Sequence, residues 1–159
     1  VSNKRVLVAR TFSKAHGMAG MRIGYGVGHT DTLASMNAWH YGGGLNVAAI
    51  AGAAASLLDR EHTAEEEARN TAVRRFTVDW FKERGIHGTD TQTNFLFVRT
   101  DMPAVDFRAG CAEDGIMVGR DFRPFHNAWS RISLGTMEEM QRATEVFGRV
   151  LKLKKVAAA

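Results

Sequence analysis

The chain has 159 residues, of which 45% are apolar, 24% charged and 9% aromatic, and these values are ordinary for a globular protein. The two prolines are too few for collagen, and no apolar run approaches the ~18 residues of a transmembrane helix. A single cysteine excludes a disulfide scaffold. The net charge of +4 would suit a nucleic-acid partner, but the basic residues are scattered singly or in pairs. We therefore predict neither a nucleic-acid nor a membrane partner.

The chain begins with Val1 and soon enters the apolar run 6–9. This run is four residues long, whereas the apolar region of a signal peptide needs ~7–15. We therefore interpret it as a strand that is entered within a fold, and expect the sequence to be a piece of a longer protein. The lone thiol fits a reducing compartment, and we take the cytoplasm as the default location.

The first predicted elements alternate strand and helix. Residues 5–9 are predicted as a short buried strand. Residues 23–27 are predicted as a second strand, whose alternating glycines indicate that another backbone packs closely against it. A short helix is predicted over residues 30–40, and the sequence at 40–44, with its three glycines, should end it.

Helical spacing of apolar residues follows over residues 46–58. Thr63 and Glu66 have the spacing of a capping box, which predicts the start of the next helix there. Because no proline occurs before residue 103, one long or kinked helical segment over 46–84 is allowed, and Gly85 should end it. Four residues at intervals of four form its predicted apolar face: Ala68, Ala72, Phe76 and Trp80.

The second half has the order of an α/β or α+β module, with a boundary expected near residues 75–85. A second capping box, Thr136 with Glu139, should open the last helix, with Met140, Ala143, Phe147, Val150 and Leu151 on its apolar side. The other predictions are strands at 94–99, 116–118 and 129–134 and a helix at 103–114.

Several kinds of site lack support in the sequence. No glycine-rich phosphate loop of either common pattern is present. The six histidines are not paired at a metal-binding spacing on a helix, so no metal site is predicted. Ser13 and His16 are close in sequence, but no third group completes a hydrolase triad.

One segment concentrates reactive side chains around Lys14, which is the only lysine between Lys4 and Lys82. Lys14 follows a strand and stands among small residues, so it could lie in a cleft, where a lysine more readily loses its charge and can form a Schiff base. Thr11, Ser13 and Arg22 would add two hydroxyls and a guanidinium, a set that suits a phosphorylated aldehyde. The alternative is a polar loop with a solvated lysine.

Residues 13–25 read Ser-Lys-x-x-Gly-x-x-Gly-x-Arg-x-Gly-Tyr. This pattern closely resembles the pyridoxal-phosphate lysine motif of class I and II aminotransferases, in particular the histidinol-phosphate aminotransferase-like branch. The resemblance implies that pyridoxal 5'-phosphate is the cofactor. It also implies that Lys14 forms the Schiff base, and that Thr11, Ser13 and Arg22 hold the cofactor phosphate.

A second segment, residues 129–139, resembles a late part of the same family, with a strand that carries Arg131, then Gly-Thr and a helix. The resemblance implies that Arg131 binds the substrate carboxylate; the alternative is a surface salt bridge. Residues 115–120 resemble the family's Gly-Ile-x-Val-Arg stretch, although Gly119 intervenes before Arg120. Arg120 is the candidate for a further substrate contact and Arg123 its rival.

Two weaker features accompany these segments. Residues 93–95 resemble the Thr-Asn-aromatic turn of the family, where Asn94 would shape the turn. Tyr25 and Tyr41 are interpreted as packing residues.

The resemblance covers most of the chain and implies an α/β fold, that of the pyridoxal-phosphate-dependent transferases of fold type I. Residues 1–75 would be the end of the large, cofactor-binding domain with a connecting helix, and residues 76–159 the C-terminal small domain. We expect strand edges and apolar helix faces of residues 1–75 to be exposed.

The implied activity is transfer of an amino group between an amino acid, with histidinol phosphate a candidate, and a 2-oxo acid. The complete protein would be a homodimer. Two alternatives are another pyridoxal-phosphate activity, such as that of a lyase or decarboxylase, and a catalytically inert fragment or docking module.

Overall fold

The computed structural model describes residues 1–39 and 43–153. The chain divides into two compact units, Val1–Glu67 and Ala68–Ala159. The predicted break at 40–44 and the packing role of Tyr41 fall wholly or partly outside the described residues. The domain boundary predicted at residue 75 stays a prediction.

The first unit contains a two-stranded antiparallel sheet. Strands β1 (Leu7–Thr11) and β2 (Gly24–Gly28) pair from Leu7 opposite Gly28 to Thr11 opposite Gly24. A Cβ atom at Gly24 would lie 2.5 Å from the Arg10 carbonyl oxygen, so only glycine permits this approach of the two backbones. Both predicted strands and the close backbone packing at Gly24 are therefore confirmed.

The prediction that the first strand is buried was wrong. All five residues of β1 are exposed, with Leu7 and Val8 at 41% and 40%. The reason is that two strands cannot cover each other's faces, and no element among the described residues of the first unit encloses them. The expected exposure of apolar surface is found on the strands and on helix residues such as Val47 and Leu58.

Three helices follow, α1 (Thr30–Asn37), α2 (Val47–Leu58) and α3 (Arg60–Lys82). The Asn46 side chain caps α2 by accepting hydrogen bonds from the amides of Ala48 and Ala49. The predicted kinked segment is confirmed, because Asp59 alone separates α2 from α3.

The predicted capping box at Thr63 is wrong. Asp59 is the capping residue of α3, since its Oδ1 accepts a hydrogen bond from the His62 amide at 3.0 Å. The Thr63 hydroxyl lies inside the first turn and donates to the Asp59 carbonyl. An acceptor one turn earlier therefore starts the helix before Thr63 can.

The buried face of α3 agrees with the prediction only in part. Val73, Thr77 and Phe81 are buried and Ala68 and Ala72 are exposed. Phe76 and Trp80 of the predicted face are half-buried and pack against the core. The two sets have the same four-residue period. The position of the second unit's core selects between them, and there the Phe81 ring stacks on Phe147 at 5.9 Å. After α3, Gly85 adopts a φ of +71°, which glycine tolerates best, and ends the helix as predicted.

The second unit is built on strands β3 (Phe95–Arg99) and β4 (Trp129–Ser133), which pair antiparallel with Phe97 opposite Arg131. One face of this sheet is buried in the core and carries Leu96, Val98, Ser130 and Ile132. Alternation along the strands places Phe95, Phe97, Trp129 and Arg131 on the other, partly open face.

Helix α4 (Ala104–Glu113) confirms the prediction for residues 103–114. Residues 116–118 do not form the predicted strand. Their neighbour Gly119 donates one backbone hydrogen bond to the Arg131 carbonyl at 3.2 Å, and one bond does not make a ladder. A Cβ atom at Gly119 would lie 2.8 Å from that oxygen, so this contact requires glycine.

Helix α5 (Met137–Val150) closes the core. The predicted capping box is confirmed: the Thr136 hydroxyl accepts from the Glu139 amide, and the Thr136 amide donates to Glu139 Oε2 at 2.7 Å. Of its predicted apolar side, Met140, Ala143 and Phe147 are buried. The fully enclosed rings of Phe81, Phe107 and Phe147 form the centre of this unit.

Candidate functional site

The β1–β2 hairpin brings together all four residues predicted to hold a cofactor. The ladder continues one bond past the strand ends, where the Phe12 amide donates to the Ile23 carbonyl at 3.2 Å. Ser13 and Lys14 follow this last bond directly and Arg22 directly precedes Ile23, so they lie at the same end of the sheet as Thr11. Thr11, Ser13, Lys14 and Arg22 therefore gather at one end of the sheet.

Each of these polar groups has a defined local setting. Thr11 Oγ1 accepts a hydrogen bond from the Ser13 amide at 3.1 Å, which orders the chain just before Lys14. Arg22 has a left-handed φ of 52°, and its Nη1 donates to the Ala19 carbonyl at 2.7 Å. Its other N–H groups have no partner among residues 1–39 and 43–153, so they are free to bind an anion.

Lys14 lies in a short closed turn. The Gly17 amide donates to the Lys14 carbonyl at 2.8 Å, and the Met18 amide donates to the Phe12 carbonyl at 2.9 Å. Gly17 has a φ of +65°, a conformation for which glycine is suited. The turn thus carries Lys14 away from the strand on a backbone of fixed shape.

The expectation that small neighbours enclose Lys14 is not met. Lys14 and Thr11 are exposed and Ser13 is half-buried. Small neighbouring residues leave space around the lysine, but their side chains are too short to cover it. Within the described residues, Lys14 is therefore not enclosed.

The predicted substrate arginines lie in the second unit. The Arg131 guanidinium carbon lies 4.3 Å from the centre of the Phe95 ring and 5.8 Å from that of Phe122. Its Nε is buried and has no hydrogen-bond partner. No ion pair of Arg131 occurs within the described residues, so the alternative of a surface salt bridge has no support there.

Arg120 shares the Phe122 ring with Arg131. The Arg120 guanidinium carbon lies 5.2 Å from the centre of that ring, and the Arg120 side chain is exposed. Two cations therefore lie against one aromatic ring, an arrangement that leaves their N–H donors available to an anion. The rival, Arg123, makes no such ring contact among the described residues.

The aromatic cluster around this site was not predicted from the sequence. The Phe97 ring stacks on Trp129 at 5.2 Å and meets the edges of Phe122 and Phe125 at 6.3 and 5.8 Å. One signal was available in the sequence. In the two predicted strands, Phe95 and Phe97, and likewise Trp129 and Arg131, are two residues apart, and this spacing places their side chains on one face.

Other features do not add to the site. A cavity of about 490 Å³ in the second unit is lined by Leu96 and Val98, on the opposite face of the sheet from Arg131, and by no predicted site residue. Within residues 1–39 and 43–153, no three His, Cys, Asp or Glu side chains are grouped to bind a metal ion. No helix in this part of the chain has the length and apolarity needed to cross a membrane.

Residues 1–147 match the sequence model of a family described as aminotransferase class I and II. A histidinol-phosphate aminotransferase of Gluconacetobacter diazotrophicus is 36% identical over 151 residues, and one of Akkermansia muciniphila is 34% identical over 148 residues. These matches include 92% and 93% of this chain but 42% and 40% of the relatives. The chain thus spans about two fifths of the length of these relatives.

A solved structure has the same fold. The crystal structure of histidinol-phosphate aminotransferase from Sinorhizobium meliloti in complex with pyridoxal-5'-phosphate superposes with a TM-score of 0.78 at 25% identity. The match covers 96% of this chain and 42% of that chain.

Proposed function

This chain belongs to the class I and II aminotransferase family, and from that premise we propose that the full-length gene product transfers an amino group between an amino acid and a 2-oxo acid. Its α/β fold is that of the pyridoxal-phosphate-dependent aminotransferases of fold type I. The observation that carries the proposal is the meeting of one amine, two hydroxyls and one guanidinium at a single hairpin end.

This donor set fits pyridoxal 5'-phosphate, which has one aldehyde and one phosphate. Thr11, Ser13 and Arg22 would hold the phosphate, since hydroxyls and a guanidinium with unused N–H groups are suitable donors to it. Lys14 would supply the amine that joins the aldehyde. When bound, the cofactor supplies an electron-withdrawing ring that weakens a bond at the substrate Cα.

Lys14 would have a second role in proton transfer. When a substrate amine occupies the cofactor in its place, the Lys14 nitrogen would take the proton from the substrate Cα and deliver it to the former aldehyde carbon. The Lys14 amine has no hydrogen-bond or ion-pair partner among the described residues, so it is available for both roles.

Arg131 would bind the anionic end of the substrate, with Arg120 as a second contact. The buried, unpartnered Nε of Arg131 is a donor whose hydrogen bond is missing, and an anion would supply it. A guanidinium pairs bidentately with a carboxylate or with a phosphate. Arg131 could therefore orient an amino acid, a 2-oxo acid or a phosphate ester alike.

The specific amino-group donor that we propose is histidinol phosphate, which is the phosphate ester of an amino alcohol and takes the place of the amino acid as donor. The names of the relatives from Gluconacetobacter diazotrophicus and Akkermansia muciniphila support it. This compound carries a phosphate and no carboxylate, which Arg131 and Arg120 together can accommodate. We further propose, from the family resemblance alone, that the full-length protein is a homodimer and acts in the cytoplasm.

The attachment of the cofactor provides the first test. The full-length gene product is mixed with pyridoxal phosphate, reduced with borohydride and digested, and the modified residue is mapped by mass spectrometry. We expect the adduct at Lys14 in the wild type and in the control Lys4→Arg, and none in Lys14→Arg. An adduct at another lysine, or none in the full-length wild type, contradicts the proposal.

Product analysis separates the alternatives. Formation of glutamate from 2-oxoglutarate, with a keto or aldehyde product from the donor, is expected of an aminotransferase. Release of ammonia or carbon dioxide without that product would instead identify a lyase or decarboxylase. If the 159-residue chain by itself forms no adduct while the full-length protein does, the chain is an inert fragment.

A further inference from the structure

A contact between distant parts of the first unit involves His16, which is two residues after the candidate lysine. His16 Nδ1 and Ser56 Oγ form a hydrogen bond of 2.6 Å across 40 residues of sequence. The His16 ring is half-buried and lies against the buried Phe12 ring, with 4.9 Å between ring centres. The hydrogen bond therefore connects helix α2 to the turn over residues 12–18, which we name the lysine turn.

A second contact holds the end of the same turn. A Cβ atom at Gly52 of α2 would lie 3.0 Å from the Met18 methyl carbon, so Met18 occupies the space that this glycine leaves open. Gly52 and Ser56 are four residues apart and share one face of α2. Helix α2 therefore supports the lysine turn at two points, His16 and Met18.

The two points differ in what they specify. Packing of Met18 on Gly52 is non-directional, and a flexible methionine can adapt to small shifts. The His16–Ser56 hydrogen bond is directional, so it restricts the orientation of the turn about α2. Lys14 lies two residues before His16 and its carbonyl accepts the hydrogen bond that closes the turn, so its Cα follows that orientation.

We propose that His16 is a positioning residue, which through Ser56 holds the lysine turn in the orientation from which Lys14 reacts. The inference rests on the proposed role of Lys14. Reaction of an amine with a bound group depends on alignment, and one neutral hydrogen bond changes an equilibrium by roughly 3- to 10-fold. Loss of the bond should reduce the aligned population by about this factor.

The test uses His16→Phe, which keeps a ring against Phe12 but cannot bond Ser56, and Ser56→Ala. Each should lower kcat of the full-length enzyme by roughly 3- to 10-fold with little change in KM. The double variant should be no slower than either single one, because both remove the same bond. His16→Asn, whose side-chain amide can reach the Nδ1 position, should recover most of the rate.

Ser35→Ala is the matched control, since the Ser35 hydroxyl bonds only the Asp31 carbonyl within its own helix. A second readout needs no cofactor. In the cofactor-free protein, amide hydrogen exchange at Gly17 and Met18 should be faster in His16→Phe and unchanged in the control. Borohydride trapping at Lys14 should also be slower in His16→Phe, at saturating pyridoxal phosphate.

The outcomes are distinguishable from those of the proposed function. If the wild type forms no adduct at Lys14, the proposed function fails. If the wild type forms it, and folded His16→Phe and Ser56→Ala match it in kcat and in amide exchange, the positioning role of His16 is overturned. Additive losses in the double variant would likewise overturn it, because they would show two independent effects.

Discussion

The single cysteine allows a quantitative test of the second unit's core. Cys111 lies on α4 with no exposed surface. Burial, and secondarily the charge of Asp114, raises the pKa of its thiol from 9.0 to about 12. Since only the thiolate reacts with disulfide reagents, the native chain should resist labelling.

The size of the effect follows from the two pKa values. At pH 8 a thiol with a pKa of 9.0 is about one-tenth ionised, whereas one with a pKa of about 12 is ionised about one part in ten thousand. The ionised fraction of the native thiol is therefore about 1,000-fold smaller than that of the unfolded chain, and its reaction should be much slower. Exclusion of the reagent from the core lowers the rate further.

The same pKa shift predicts how stability depends on pH. Because the folded-state pKa exceeds the unfolded one, Cys111 contributes its stabilisation fully below pH 9 and loses it as the pH rises toward 12. The full loss for a shift of this size is about 4 kcal/mol, of which about 1.4 kcal/mol falls between pH 8 and pH 10. Urea unfolding at these two pH values should show a decline that is smaller by about this amount in Cys111→Ala.

The assay is reaction of the 159-residue chain with a chromogenic disulfide, with and without urea. The control combines Cys111→Ala with Met117→Cys, because Met117 is 82% exposed in the same unit. That control should react nearly as fast folded as unfolded. Labelling of Cys111 in the folded chain at the control's rate would refute the closed core.

Two further predictions concern α5 and Arg131. Thr136→Ala removes the acceptor for the Glu139 amide and should lower the free energy of unfolding by about 1 kcal/mol, measured by urea titration, with exposed Ser133→Ala as a near-neutral control. Equal unfolding of the two variants would contradict the role of the cap. Arg131→Ala in the full-length protein should raise KM for the amino donor about 100-fold or more, the loss of one or two charge-assisted hydrogen bonds, with cofactor affinity unchanged. Equal weakening of cofactor and substrate would argue against the assignment of Arg131.

The candidate site was predictable from sequence to the extent that it is local. Thr11, Ser13, Lys14 and Arg22 form a contiguous motif, and pairing of β1 with β2 brings them to one hairpin end. The family resemblance assigned Arg131 and Arg120 to one substrate site, but the contact that groups them was not predictable. It depends on the Phe122 ring that both cations contact, and residues 116–120 carry no periodic signal for that contact.

The sequence alone was sufficient for features that depend on interactions between residues within about one helical turn, or within a few residues of a strand. The features of this kind are the Thr136–Glu139 capping box, the end of α3 at Gly85 and the motif around Lys14. Tertiary structure decided which face of α3 is buried, that β1 stays exposed and that His16 bonds Ser56. The physical reason is that burial and long-range hydrogen bonds depend on which distant part of the chain packs against a segment. The local sequence pattern is compatible with more than one such packing partner.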